Sequence, residues 1–515
     1  MKGSKKSTFN GAITLSYTYR NVIFKNQTNV SIDKGFESPY GVFKDYANMN
    51  PYFKPYDSKD KITKYYTDID GAKIYNPLYT ELINNFSIEF TIIDALKVRA
   101  QFGISKKTSM SDKFYPADHT KFLASTYQGD GYFRKGSYTY GVGEVFNYNA
   151  NVTVSYAKTW REKHQLYAGF DYSIGENSNY NYRFMMEGFS NENLDFIGNA
   201  LQYEQSGKPY GYEDLSRRIG FTGNVNYTFN NRYYVDLSLR MDGSSQFGSK
   251  NKFAPFWSAG IGWNIHRENF LKESNAINNL RLKVSYGQTG SQQFNAYQAL
   301  STFKYISGEK YINWNGAELM GHGNENLKWQ VTDNLNVGTE IGMFNNRISA
   351  EFDYYNKKTS NLLSNMNVPY ATGFGYYVDN VGEVKNIGFE TGLKGYIIRN
   401  PKNNVSWLIA GKLSYNKNKI TKLSESIKTQ NEIYKYQDVD INKLFEEGRP
   451  QNSLYAVRSL GIDPSTGEEV FLDRYGEITN EWYSSAKVYL GSEEPLYRGN
   501  ISTLISYKNF TLNLS

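Results

Sequence analysis

From Arg232 to Ser244 the chain reads RYYVDLSLRMDGS, with Val235, Leu237, Leu239 and Met241 at alternate positions. Tyr234, Asp236, Ser238, Arg240 and Asp242 fill the positions between them. A β-strand sends successive side chains to opposite faces, so this segment has one apolar and one polar wall. Ile219 to Phe229 alternates in the same way, and only Asn230-Asn231 separates the two segments, a hairpin signal. Leu280 to Gly287 and Arg347 to Tyr355 repeat the pattern. About sixteen strands are predicted, near 10–20, 22–34, 80–93, 95–107, 143–158, 164–178, 216–229, 232–245, 253–266, 278–290, 327–343, 346–360, 381–398, 404–419, 496–507 and 509–515. Their links alternate. Short turns follow the odd-numbered strands, while long loops near 35–79, 108–142, 179–215, 291–326, 361–380 and 420–495 follow most even-numbered ones. Long strands with all long loops at one end predict an all-β fold, an antiparallel transmembrane β-barrel with short periplasmic turns and long extracellular loops.

Composition sharpens this picture. No run approaches the roughly 18–20 apolar residues of a membrane-spanning helix, but a spanning strand needs only about 9–11 residues, apolar at every second position. The 46 Tyr, 31 Phe and 7 Trp suit the aromatic girdles of such a barrel. With no cysteine, disulfides, thiolate metal sites and a Cys nucleophile are excluded. The net charge of +7 is scattered without a basic block, so nucleic acid is not an expected partner. The N-terminus lacks the apolar core of a signal peptide, and an exported protein of this kind is expected to begin further upstream.

Several segments together resemble the SusC/RagA-like family of TonB-dependent outer-membrane transporters. They are Arg240-Met-Asp-Gly-Ser-Ser-Gln-Phe-Gly248, Pro255-Phe-Trp-Ser258, Leu280-Arg-Leu-Lys-Val-Ser-Tyr-Gly-Gln-Thr-Gly290, Asn324-Glu-Asn-Leu-Lys-Trp329, Asp353-Tyr-Tyr-Asn-Lys-Lys-Thr359, Asn380-Val-Gly-Glu-Val-Lys-Asn-Ile-Gly-Phe-Glu390 and Gly461-Ile-Asp-Pro-Ser-Thr-Gly467. Tyr75-Asn-Pro-Leu78 fits upstream; Gln246 and Glu325 depart from the family's usual Arg and Pro. The resemblance implies that residues 1–515 are a partial barrel, about sixteen of twenty-two strands, without the plug domain and the last strands. It further implies TonB-dependent import of oligosaccharides or peptides across the cell outer membrane, with a SusD-like surface lipoprotein, the TonB-ExbB-ExbD complex acting through the plug, and no cofactor. Residues 1–515 alone are then expected to give no energised transport. Alternatives are a TonB-dependent siderophore, haem or cobalamin receptor, a passive porin, and a soluble or surface β-rich glycan-binding protein.

No catalytic constellation stands out, so an enzyme is not expected. His119, His164, His266 and His322 are far apart in sequence and lack metalloprotease spacing. Asp68-Ile-Asp70-Gly71 and Asp463-Pro-Ser-Thr-Gly467-Glu468-Glu469 look superficially like calcium loops, but neither completes the oxygen-ligand pattern, and turn chemistry accounts for them. The loops are rich in aromatics: Tyr127, Phe133, Tyr180, Phe184, Tyr210, Tyr212, Tyr370 and Phe374 beside the five candidate substrate-binding residues Tyr132, Tyr182, Trp314, Tyr376 and Tyr377. Rings of this kind either wall a binding site or pack the loops against one another.

Overall fold

The structure is a computed structural model that describes residues 7–19, 21–34, 73–117, 122, 125–191, 193–205, 207–247, 251–291, 300–312, 314–321, 323–367, 376–400, 403–436, 444–473 and 475–515. Sixteen strands form its framework: β1 Ser7–Tyr19, β2 Val22–Lys34, β3 Lys73–Ile93, β4 Leu96–Tyr115, β5 Ser137–Trp160, β6 His164–Glu187, β7 Tyr210–Phe229, β8 Tyr233–Ser244, β9 Phe253–Asn264, β10 Ile277–Ser291, β11 Gln330–Met343, β12 Ile348–Asn367, β13 Tyr376–Asn400, β14 Val405–Leu423, β15 Tyr497–Tyr507 and β16 Phe510–Leu514. They match the sixteen predicted segments in order. The chain divides into two compact units, 1–153 with 173–218 and 154–172 with 219–515.

In the first unit β1, β2, β3 and β4 form an antiparallel meander. One row of register partners is Tyr17, Phe24, Ile88 and Ala100; the next row, on the other face, is Ser16, Lys25, Ser87 and Gln101. In the second unit, β8 to β15 pair in succession, with β11 following β10 and β15 following β14. A single row there runs Val235, Ile261, Val284, Val337, Tyr354, Phe389, Tyr415 and Tyr497. Its neighbour on the opposite face runs Asp236, Gly260, Ser285, Asn336, Tyr355, Gly388 and Asn416. Apolar and polar residues thus sort by face across eight strands, not merely along each one.

The apolar face is the exposed one. Leu239 is 61% and Ile261 60% accessible, whereas Asp236 and Ser238 are half-buried. That inverts a water-soluble sheet and calls for an apolar solvent outside the wall. The first unit has an exception that follows the same rule. Asn26, Thr28 and Asn84 share the face of Leu15, Phe24 and Phe86, and they satisfy one another: Asn84 Nδ2 donates to Thr28 Oγ1 (2.7 Å) and Asn26 Oδ1 (3.1 Å). Where hydrocarbon offers no partner, polar groups must pair internally.

Tight turns close one end. Asn230 and Asn231 have φ of 52° and 55°, the left-handed pair that a two-residue hairpin needs. Asn345 and Asn346 do likewise at the β11–β12 turn. At the other end the strands are longer than predicted. β5 and β6 have 24 residues each, so residues 137–142 and 179–187, expected as loop, are strand. Residues 108–115, 210–215, 361–367 and 376–380 are corrected in the same way. At ~3.3 Å per residue such strands greatly overrun the roughly 25 Å apolar band. The loops also hold structure of their own: a hairpin of Thr302–Tyr311 and Trp314–Gly321, a helix α1 at Glu425–Tyr436, and two small sheets within 453–492. Ile427 of α1 joins Val381, Val384, Ile420 and Leu423 in a buried cluster that seats this loop on β13 and β14.

Candidate functional site

On the polar face of the second unit lies a groove of about 700 Å3, within the range of ligand sites. Small residues make it: Ser238, Ser258, Gly260, Ser285 and Gly287 leave space that larger side chains would fill. Gly287 is required, because a Cβ there would meet Ser258 Cβ at 2.5 Å. Asp236, Arg240, Asp242, Asn334 and Asn336 supply the polar groups. Most are already oriented. Arg240 Nε donates to Asp242 Oδ2 at 2.7 Å and its Nη1 to Thr222 Oγ1 at 2.9 Å, while the Asn226 amide donates to Asp236. Asn334 differs. Among the described residues, its Oδ1 is the buried side-chain oxygen without a hydrogen-bond partner, an acceptor set beside the groove. The arrangement can bind hydroxyl and amide groups.

The outer end of the first unit forms a second feature. Glu187, 2% exposed at the tip of β6, receives Arg134 Nε at 2.8 Å, Arg134 Nη2 at 3.1 Å and Gln202 Nε2 at 2.8 Å. Burial alone would raise its carboxyl, but the hydrogen bonds from Arg134 and Gln202 overcome this and hold it below the usual carboxylate range. Phe114, Tyr138 and Phe189 pack beneath as a buried aromatic cluster. This knot supports Tyr132, which is 59% exposed, edge-on to Phe133 at 5.9 Å and covered by the Lys135 ammonium at 4.6 Å.

The other candidate aromatics go elsewhere. Tyr182 lies within β6, not in a loop, and its hydroxyl is committed to Glu213. Its neighbour Tyr180 donates to Glu144 at 3.2 Å, and Glu144 shares a face of β5 with the exposed Val152. Both tyrosines thus stand on the outward face of the wall. Trp314, 78% exposed, opens the second strand of the hairpin after Ile312 and pairs with Tyr311. Tyr376 and Tyr377 begin β13 opposite Asn367 and Met366; their side chains lie outside the described residues. Tyr132 and Tyr182 belong to the first unit and Trp314, Tyr376 and Tyr377 to the second. Ser258, Ser285 and Gly287 of the polar groove fall within the family-like segments, but such residues match no ligand-binding pattern, and register alone assembles them into a groove.

The remaining candidates are structural. His164 Nδ1 is 2.7 Å from the Tyr227 hydroxyl and stacks on Trp160, and His266 Nδ1 sits 3.1 Å from the Leu280 carbonyl oxygen. Asp463 accepts the Ser465 hydroxyl at 2.7 Å and the Ser465 amide at 2.8 Å, bonds that hold its carboxyl below the usual range and make a turn. Among the described residues no group of three His, Asp or Glu side chains could hold a metal. His119, His322, Asp68, Asp70, Tyr370 and Phe374 fall outside the described residues.

Comparison with known proteins gives a consistent result. The family model described as TonB dependent receptor-like, β-barrel matches residues 4–491. TonB-dependent receptor P3 of Formosa agariphila is 28% identical over 466 residues, covering 84% of this chain and 43% of that receptor. TonB-dependent receptor SusC of Bacteroides thetaiotaomicron is 28% identical over 320 residues, 59% of this chain and 31% of SusC. The solved RagAB peptide transporter superposes with a TM-score of 0.82 at 22% identity, over 98% of this chain and 57% of that one. The chain thus spans about half the length, or less, of these relatives.

Proposed function

The chain belongs to the TonB-dependent receptor-like β-barrel family of the outer membrane, and from that premise we propose that it forms wall and outer loops of an importer for oligosaccharides or peptides. Substrate is captured at the extracellular ends of the strands, under a SusD-like surface lipoprotein, and passes along the polar face. TonB supplies the energy. The observation that carries this reading is the groove beside Asn334: amides, hydroxyls and the Arg240–Asp242 pair on the water side of a two-faced wall. Polymers dense in hydroxyl or amide groups match such a surface, and small hydrogen-bonding residues allow passage without tight retention. SusC, a TonB-dependent receptor related in sequence, supports the use of TonB, and the RagAB peptide transporter, a relative in fold, supports the peptide class. We assign Tyr132 as an outer contact and Asn334 as an inner one.

The test is uptake of labelled oligosaccharides and peptides by cells expressing the intact gene, with and without TonB. Uptake should require TonB, and Asn334→Ala should weaken substrate binding about 2- to 10-fold, the worth of one hydrogen bond at ~0.5–1.5 kcal/mol. Uptake that persists without TonB, or that is confined to a ferric siderophore, haem or cobalamin, would overturn the proposal.

A further inference from the structure

The outward face of the second unit is not uniformly covered by large side chains. Across β5 to β9 it dips into a groove of about 750 Å3, inside the roughly 300–1,000 Å3 of small-molecule sites. Ala168, Gly223 and Ala259 form the floor, at outward positions whose neighbours along each strand are Phe170, Val225 and Trp257. A Cβ built on Gly223 meets nothing within 4 Å, so no neighbouring ring fills the hollow. Leu237 pairs in register with Ala259 and Leu239 with Trp257, which raises one side of the groove above its floor.

Depth identifies the occupant. The groove residues lie about five to eight positions from the tight turns at Lys163 and at Asn230-Asn231. With ~3.3 Å per residue and strands tilted by roughly 45°, this is ~12–19 Å above the inner rim, near the middle of the apolar band. Lipid headgroups do not reach that level, and the outward-facing side chains of the lining are apolar or aromatic, Tyr156 alone carrying a hydroxyl, while Asn224, Ser238 and Ser258 lie on the opposite face. The groove is also continuous with the exposed row through Val235, Ile261 and Val284, the face already turned toward hydrocarbon. We infer that this groove is an acyl-chain site, holding one hydrocarbon chain of an outer-membrane lipid in a fixed place while other lipids merely coat the wall.

Photolabelling tests this with the full chain in bilayers containing phosphatidylethanolamine that carries a diazirine at mid-chain. Peptide mapping should find labelling of Leu237, Leu239 and Trp257 at least fivefold above Val284 and Val337, residues of the same face outside the groove. Gly223→Leu and Ala259→Leu, which fill the hollow, should bring labelling down to the level of Val284, while Val337→Leu leaves it unchanged. Heat-modifiable gel mobility identifies variants that fold. Even labelling around the wild-type wall, or groove labelling that survives both filling substitutions, would overturn the inference. If a filled variant does not fold, the wild-type ratio decides alone.

Discussion

Glu187 is a buried carboxylate that accepts hydrogen bonds from Arg134 and Gln202, and it pins the strand at Gln202 and the Arg134 turn to the tip of β6. It lies at the end of a 24-residue strand, far beyond the roughly 9–11 residues that cross a membrane, so the knot works in water. Because the folded carboxyl is depressed below its unfolded value, the stability it contributes is full above the unfolded pKa of ~4.3 and is lost as pH falls through the lower folded value. Protection of the Met186–Tyr203 amides from hydrogen exchange, corrected for the intrinsic rate, should therefore hold from neutral pH down to the unfolded carboxyl's ~4.3 and be lost below it. Arg134→Ala, which leaves the ionised Glu187 buried without its cation, should open the knot already at neutral pH, read as lost exchange protection at Met186–Tyr203. Glu187→Gln should remove the pH dependence. None of this was legible in the sequence: Arg134 and Glu187 are 53 residues apart and match no motif.

At the scale of elements, the family-like motifs turn out to be clamps. Trp329 of Asn324–Trp329 stacks on Phe247 at 4.1 Å, meets Phe256 edge-on at 5.7 Å and donates its indole N–H to the Asn251 carbonyl at 3.2 Å. Leu327 is fully buried beside it, and Asn380 receives the Lys328 amide at 2.9 Å while donating to the Lys328 and Asn361 carbonyls. Segments recognisable in sequence as Asp242–Phe247, Asn324–Trp329 and Asn380–Glu383 thus tie the outer ends of β8, β9, β12 and β13 together. Trp329→Ala should cost about 3–5 kcal/mol of local stability, read as faster proteolysis of residues 300–330 in intact cells, with the strands still inserted. The same scale shows why sixteen strands were legible and their outer thirds were not. Inside the membrane, lipid on one side enforces period-two alternation. Beyond it both faces meet water, and Asn179-Tyr180-Asn181-Tyr182-Arg183 reads as a polar loop although it is strand. For that reason the sequence pattern puts Tyr182 in a loop, whereas it lies within β6. The hairpin at 302–321 and helix α1 escaped because short elements packed on loops give too few repeats for a period to emerge.

At the scale of the molecule, residues sort by face: the row from Val235 to Tyr497 turns toward lipid and the row from Asp236 to Asn416 toward water. An arginine on the lipid row at mid-membrane costs about 2–4 kcal/mol, a large share of the stability of any fold, whereas the polar row tolerates one. Residues 1–515 contain no cysteine, so they add no background to the direct measurement. Single cysteines placed in turn from Tyr233 to Asp242 in the membrane-inserted protein can be labelled with a charged, water-soluble maleimide. Asp236, Ser238 and Arg240 should react and Val235, Leu237 and Leu239 should not, a period of two along the strand. Labelling that ignores this period, or that favours the leucines, would contradict the two-faced wall and the importer built on it.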